Sequence, residues 1–551
     1  MSINRIHSSL PSGLGGIVFT ACILVFGKVD AQIPDVEVQI VNPLKVTLPL
    51  FERNFELAPI MPPAPVYPPL VYELKEVQFQ GPEFTPSIKP LKLRVGEPEK
   101  DIEGNASIGF GNYLSPLADF YVPLIRKKKS NQFASIRGFH NSFLRGPVDG
   151  KNSSSGITTL SGDYRYAGER LVFGGMLIYR DASNNFYGYP QGTEANYSDI
   201  RQYYRSVAVG TEVTNSTTSN YQFDLSSTFS TLWDRFEAAE TDWKAQFENR
   251  FDLKKFGKLH LNTRYDFLAR EDAQTEPSPR NLIRADLFHE FLPFENFKII
   301  SGVRGAYEND LLTEKEFHVY PLVELNLTLQ KFWNFKSWVK GDVEKNSLHL
   351  LSVSNPWLNS DVDIRHVNNR VAVGFEGSYR YSEGFKFFVG SEFKEFGGQY
   401  FFTPALDGSR FNLIYDEANL INVYAGTDYL KGKSALRIKA DYFGWNTKNL
   451  EAAFFKPEWK FEFSSNFPVG DKVVFGPYAH FLAGLRKFDA VTLEVDLLPV
   501  VIDLGAEVRY SFSERGSLFL RATNILSREN VMFSNYPVRG IQGTLGLTWK
   551  F

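Results

Sequence analysis

From about Gly104 to Phe551 the apolar side chains recur with a period of two, and this regularity decides most of what the chain can become. The last eleven residues show it most clearly. Ile541, Gly543, Leu545, Leu547, Trp549 and Phe551 form one face, while Gln542, Thr544, Gly546, Thr548 and Lys550 form the other. About ten residues of strict alternation is the length at which a tilted strand crosses a bilayer.

The pattern returns upstream. Leu259, Leu261, Thr263, Tyr265 and Phe267 oppose His260, Asn262, Arg264 and Asp266; Ile438, Ala440 and Tyr442 oppose Arg437, Lys439 and Asp441; Ile502, Leu504, Ala506, Val508 and Tyr510 oppose Asp503, Glu507 and Arg509. A soluble sandwich also alternates, with its apolar face turned inward. Here the alternation runs on without a helical segment, which predicts lipid outside and water or a plug inside. On this reading Arg264, Asp266, Lys439, Asp441, Glu507 and Arg509 line the lumen. Composition agrees, because aromatics reach 15% while mean hydropathy stays negative.

Short polar or glycine-bearing turns are expected near Arg126 to Ser130, Ala167 to Arg170, Ser216 to Ser219, Phe256 to Lys258, Pro293 to Asn296, Trp333 to Phe335, Ser382 to Gly384, Lys431 to Lys433, Gly470 to Lys472 and Ser513 to Gly516. Longer connections, among them Asn346 to Asp363 and Gly397 to Ala418, alternate with them. Ten turns with both chain ends on one side require about 22 strands, within a range of about 18 to 22, and an even number. The expected fold is all-β: a transmembrane antiparallel β-barrel over residues 104–551 with a proline-rich amino-terminal extension.

Ahead of the barrel, Arg5 and the apolar run Ile17 to Gly27 read as a signal peptide over residues 1–31, cleaved after Ala31. Cys22 is the only cysteine, so the mature chain is expected to hold no disulfide. An acylated Cys22 is the alternative, opposed by the apolar core that continues beyond it. Residues 32–103 form the extension, and thirteen of the 29 prolines fall between Gln32 and Lys100. Proline favours extended backbone. The apolar residues of this arm, such as Leu48, Phe51, Phe55 and Ile60, predict that it docks in the lumen or on a periplasmic partner.

The carboxyl-terminal hairpin carries more than alternation. Leu520 to Leu526 (LRATNIL), then Tyr536, Pro537, Val538, Arg539 and Gly540, and the closing Leu545 to Phe551 resemble the end of TonB-dependent receptor barrels. The Gly109 to Tyr113 stretch with Pro116 is similar to plug-less, receptor-like barrels of the Bacteroidota type. The resemblance implies a 22-stranded barrel in a bacterial outer membrane and, for Leu545, Leu547, Trp549 and Phe551, a barrel-assembly signal read by the assembly machinery. It departs from the family in the seventy or so proline-rich residues that stand where receptors carry a folded plug, and in the lack of an evident TonB box.

Chemistry-bearing motifs are sparse. The histidines, among them His140, His260, His289, His318, His349, His366 and His480, show no metal-ligand spacing, and no nucleophile-base pair is evident. Glu237, Glu240 and Asp242, and the pair Asp361 and Asp363, read as solvated loop carboxylates rather than calcium ligands. The tryptophans read mostly as interfacial anchors. A formal charge of -3 gives no sign of a nucleic-acid partner. No enzyme activity, cofactor or metal is expected. The partners expected are outer-membrane lipid, the barrel-assembly machinery and other outer-membrane or periplasmic proteins. The functional expectation is an accessory or structural subunit of a larger outer-membrane complex; the alternative is a channel or importer for a solute, with an external plug or surface lipoprotein partner.

Overall fold

In a computed structural model of the chain, the described residues are 103–551, apart from 126–129, 191, 216–219, 274–277 and 311–315. The signal peptide and nearly all of the proline-rich extension lie outside them, as do the basic run Arg126 to Lys129 and the turn expected at Ser216 to Ser219.

The described chain forms a closed 22-stranded antiparallel sheet in which each strand pairs with its neighbours in sequence. Closure is made by the two ends. Strand Asn105–Gly111 pairs with strand Gln542–Lys550, with Ile108 opposite Leu547 and Phe110 opposite Leu545. Gly104 and Phe551 exchange backbone hydrogen bonds of 2.9 and 3.0 Å, and Ser107 Oγ meets Thr548 Oγ1 at 2.8 Å across the seam. A Cβ at Gly104 would lie 2.6 Å from the Phe551 ring, so glycine is what admits the terminal aromatic there. Closure abolishes the open edge that a lone sheet would present.

Directly paired residues share a face, so orientation can be carried round the barrel. Ile108 is 63% exposed, Phe110 58% and Leu545 60%, and they stand beside Leu518 and Leu520 of the next strand. An apolar band that water would disfavour is what lipid contact requires. The opposite face carries the ion pairs, for example Glu507 opposite Arg521. No helix among the described residues is long and apolar enough to cross a membrane; the crossing is made by strands.

Short turns and the two ends of the barrel sheet, Gly104 and Phe551, gather at one end, and the long connections at the other. By the architecture of such barrels, the first end is periplasmic and the second extracellular. The turn expected at Trp333 to Phe335 is displaced: strand Trp333–Glu344 already begins there, and the reversal is made by Gln330 and Lys331, both at positive φ. Neither is the glycine or asparagine that usually marks such a turn. The connection expected from Gly397 to Ala418 is largely strand instead. Phe385–Pro404 and Phe411–Lys431 pair through it, with a register shift between Gly397 and Gln399 and Gly398 at φ 137°. One extra residue exchanges the two faces, which hides the alternation on either side of it.

A short helix, Leu348–Ser354, sits in connection 345–366. Ser347 caps it by accepting from Leu350 N at 3.2 Å, and Glu240 accepts from Leu348 N and His349 N at 2.8 and 3.2 Å.

Candidate functional site

The extracellular connections do not stand apart. Several meet in one apolar core built from the ends of several strands and from connections 345–366, 448–458, 484–500 and 524–541. Leu348, Leu351, Leu358, Phe401, Phe411 and Tyr536 are each 1% exposed or less. Trp357 stacks on Tyr536 with ring centroids 4.0 Å apart, Tyr187 packs edge-on to both rings, and Phe411 and Phe455 meet Phe533. Backbone pairing fastens the connections together: Asn359 N donates to Phe411 O, Phe411 N to Trp357 O, and Phe455 N to Arg486 O. The Tyr536 hydroxyl donates to Ser409 O.

Connection 345–366 is the centre of this cap, and the wall grips it through arginines. Arg280, 3% exposed, donates to Ile364 O and Asn346 O at 3.1 and 3.2 Å. Arg270 donates to Ser360 O and Val362 O and pairs with Asp272 at 2.9 Å. Gln202 donates to Asp234 at 2.9 Å, and the Ser360 hydroxyl meets the same carboxylate. Four loop carbonyls held by two guanidiniums make a deliberate anchor, since each carbonyl left unpaired in this setting would cost about 1–3 kcal/mol.

Beneath the anchor lies a ladder of charges on the polar face. Asp266 is fully buried between Arg264 at 2.7 Å, Arg284 at 3.2 Å and Lys345 at 3.3 Å. Lys345 also pairs with Asp242 at 2.6 Å; Arg284 and Arg304 share Asp342 at 3.0 Å; Arg304 holds Asp286 at 2.7 Å. The other residues assigned to the lumen sit on the same face in smaller groups. Lys439 pairs with Asp441 at 2.8 Å, and Glu507 joins Arg509 at 2.6 Å to Arg521 at 2.8 Å. Arg264 and Asp266 thus belong to an extended network. On the opposite face, Leu545 and Trp549 stand exposed and Leu547 is half-buried between Ile108 and Leu518.

Several residues have roles their spacing did not reveal. Glu240, buried rather than solvated, caps the loop helix, and Asp242 pairs with Lys345. Trp357 belongs to the cap, and Trp338 stands in mid-strand with Nε1 donating to Glu392 at 2.9 Å. His318 Nε2 lies 3.1 Å from Glu308 and 3.3 Å from Glu316, a group whose ligand-type atoms all fall within 4.8 Å. An imidazole proton shared between the two carboxylates accounts for that contact. Glu316 and His318 are two apart on one strand, with Glu308 directly opposite Glu316, so only pairing assembles the group.

Burial sets the electrostatics of the cap. It pushes the Tyr187 phenol up to about 12, raises Tyr536, and holds the Lys456 ammonium down at about 8 over the Tyr400 ring. His366, buried and then opposed by the Arg280 charge, is held down at about 3.

Two cavities adjoin the cap. One of about 250 Å³ lies between the inner wall and the loop helix, reached by Phe143, Arg180, Ser206, His349 and Val353. The other, a more open cleft of about 680 Å³, is bounded by Tyr189, Asp199, Asp361, Asp407 and Arg410.

No protein-family model and no curated protein sequence matches the chain. Its fold does have counterparts of known structure. The FrpB iron transporter from Neisseria meningitidis (F3-3 variant) superimposes with a TM-score of 0.65 at 9% identity, covering 82% of each chain. The siderophore receptor PiuA from Acinetobacter baumannii gives 0.62 at 8% identity over 83% of this chain and 82% of that one. The pyoverdine outer membrane receptor FpvA from Pseudomonas aeruginosa PAO1, bound to pyoverdine, gives 0.63 at 9% identity over 83% and 79%. At these identities the likeness establishes the barrel fold. With the apolar outer band, it fits a bacterial outer-membrane location.

Proposed function

We propose that this chain is a receptor-type outer-membrane barrel that serves as an accessory or structural subunit of a larger outer-membrane complex. One observation carries the reading: several extracellular connections share a single buried core, and connection 345–366 at its centre is gripped by Arg270 and Arg280. A freely conducting pore needs an open hydrated path, and an aromatic core packed among the connections of the mouth opposes one. In this reading the connections supply the closure that a folded plug supplies in receptors, and the proline-rich arm of residues 32–103 contacts partner proteins. No catalytic activity is assigned.

The second reading, import of a solute, draws on the shared fold with proteins described as an iron transporter and as siderophore and pyoverdine receptors. It requires the cap to open. Two measurements separate the readings. Extraction from native membranes in mild detergent should recover the chain with companion proteins, and the purified barrel should be silent in planar bilayers. A solitary barrel that conducts steadily would overturn the accessory reading.

A further inference from the structure

We infer that the cavity between the inner wall and the loop helix Leu348–Ser354 is a binding site for a small carboxylate with a short apolar body. It goes beyond the accessory reading and does not depend on it.

The wall contributes Arg180, and this guanidinium has no hydrogen bond or ion pair with any described residue. In this it differs from several arginines of the inner face. Arg264, Arg284, Arg304 and Arg521 all hold carboxylates on the same inner face. The carboxylate next to it in sequence, Asp181, belongs to the opposite face and is taken by Arg205 at 2.9 Å. No Asp or Glu lines the cavity, so nothing in the wall answers the Arg180 charge.

The remaining lining says what would. Guanidinium presents a planar fork of donors that matches a carboxylate in bidentate fashion. Around it, the side chains of Asn141, Asn184 and Ser206 offer neutral donors. A single fixed cation with neutral donors suits one negative charge better than the higher charge of phosphate. The rest of the cavity is apolar where the ligand body would lie, with Phe143, Ile157 and Leu232 from the wall and Val353 from the helix. A volume of about 250 Å³ falls just below the range of about 300–1,000 Å³ usual for small-molecule sites, which sets the ligand size. Burial and the neighbouring Arg180 charge lower the affinity of His349 for a proton, so the imidazole enters the site neutral.

The test uses the full chain in lipid nanodiscs, titrated calorimetrically with hexanoate and phenylacetate, with their uncharged amides, and with inorganic phosphate. The carboxylates should bind, the amides at least about tenfold more weakly, the difference of one charge-assisted pair, and phosphate not measurably. Arg180→Gln should weaken carboxylate binding by a similar factor, and Arg180→Lys should restore part of it. Equal affinity for acid and amide, preference for phosphate, or no binding by any probe overturns the assignment. The acid-amide comparison in the unmutated protein decides the matter even if Arg180→Gln does not fold.

Discussion

Trp357 lies face to face with Tyr536 at a centroid distance of 4.0 Å, and its Nε1 donates to Asn185 O at 3.1 Å, so one side chain ties three segments of the extracellular mouth together. Replacing it by alanine removes both the stack and the anchor. Trp357→Ala is expected to cost about 3 kcal/mol, the lower end for loss of a packed aromatic. Because the strands do not depend on it, the loss should fall on the cap: the variant should still insert, show new protease cleavage in connection 345–366, and conduct in planar bilayers. An unchanged cleavage pattern and a silent variant would separate the cap from the closure of the mouth.

The barrel was legible in the sequence and the cap was not, for one physical reason. A strand repeats every two residues, so Ile438, Ala440 and Tyr442 announce their face at once, whereas Trp357, Phe411, Phe455, Phe533 and Tyr536 meet through loops that have no period. Face is readable, but not partnership: alternation places Arg264 and Asp266 on the inner face, while the cations Arg284 and Lys345 that close on Asp266 come from the adjoining strand and a distant loop. Arg270 and Arg280 take on their role only where the carbonyls of the folded-in loop stand beside them. At Gly398 the bulge reverses the alternation, and a pair of strands looked like a loop.

Asp266 is the point where the charge ladder is most vulnerable. Its carboxylate is buried against Arg264, Arg284 and Lys345, and Asp266→Asn leaves three cations facing a neutral amide. Breaking such a buried group costs about 3–5 kcal/mol. The exposed pair Arg370 and Glu417, at 3.0 Å, is screened by solvent, so Glu417→Gln should leave stability nearly unchanged. The temperature at which the barrel loses its heat-modifiable electrophoretic mobility compares the two directly; equal shifts would mean that the ladder is solvated.

Phe551 closes the seam with Gly104 through two backbone hydrogen bonds and packs where a Cβ on Gly104 would stand. Deleting Phe551 removes these bonds, and the assembly-signal reading adds a second loss at the recognition step. The expected outcome is a fall in the amount of heat-modifiable barrel in the membrane, with ion conductance and ligand binding of the surviving fraction unchanged. Normal membrane levels after the deletion would refute an assembly role for the terminal aromatic.

The cap should be most stable in moderately alkaline solution, and the signs can be assigned residue by residue. Lys456 is held down at about 8 against an ordinary value near 10.5, so the unfolded loop binds more protons than the folded one between those limits, and stability rises with pH across that window. Tyr187 is pushed up to about 12, so above about 10 the unfolded phenol ionises first and stability falls again. On the acid side His366, held down at about 3, stays neutral in the fold while the unfolded imidazole takes a proton, and stability declines as pH drops below about 6.5. Protease accessibility of connection 345–366 should therefore be lowest near about pH 10. Lys456→Met should flatten the rise above pH 8 while leaving the acid limb in place; if the profile of that variant keeps its alkaline rise, another group in the cap is titrating.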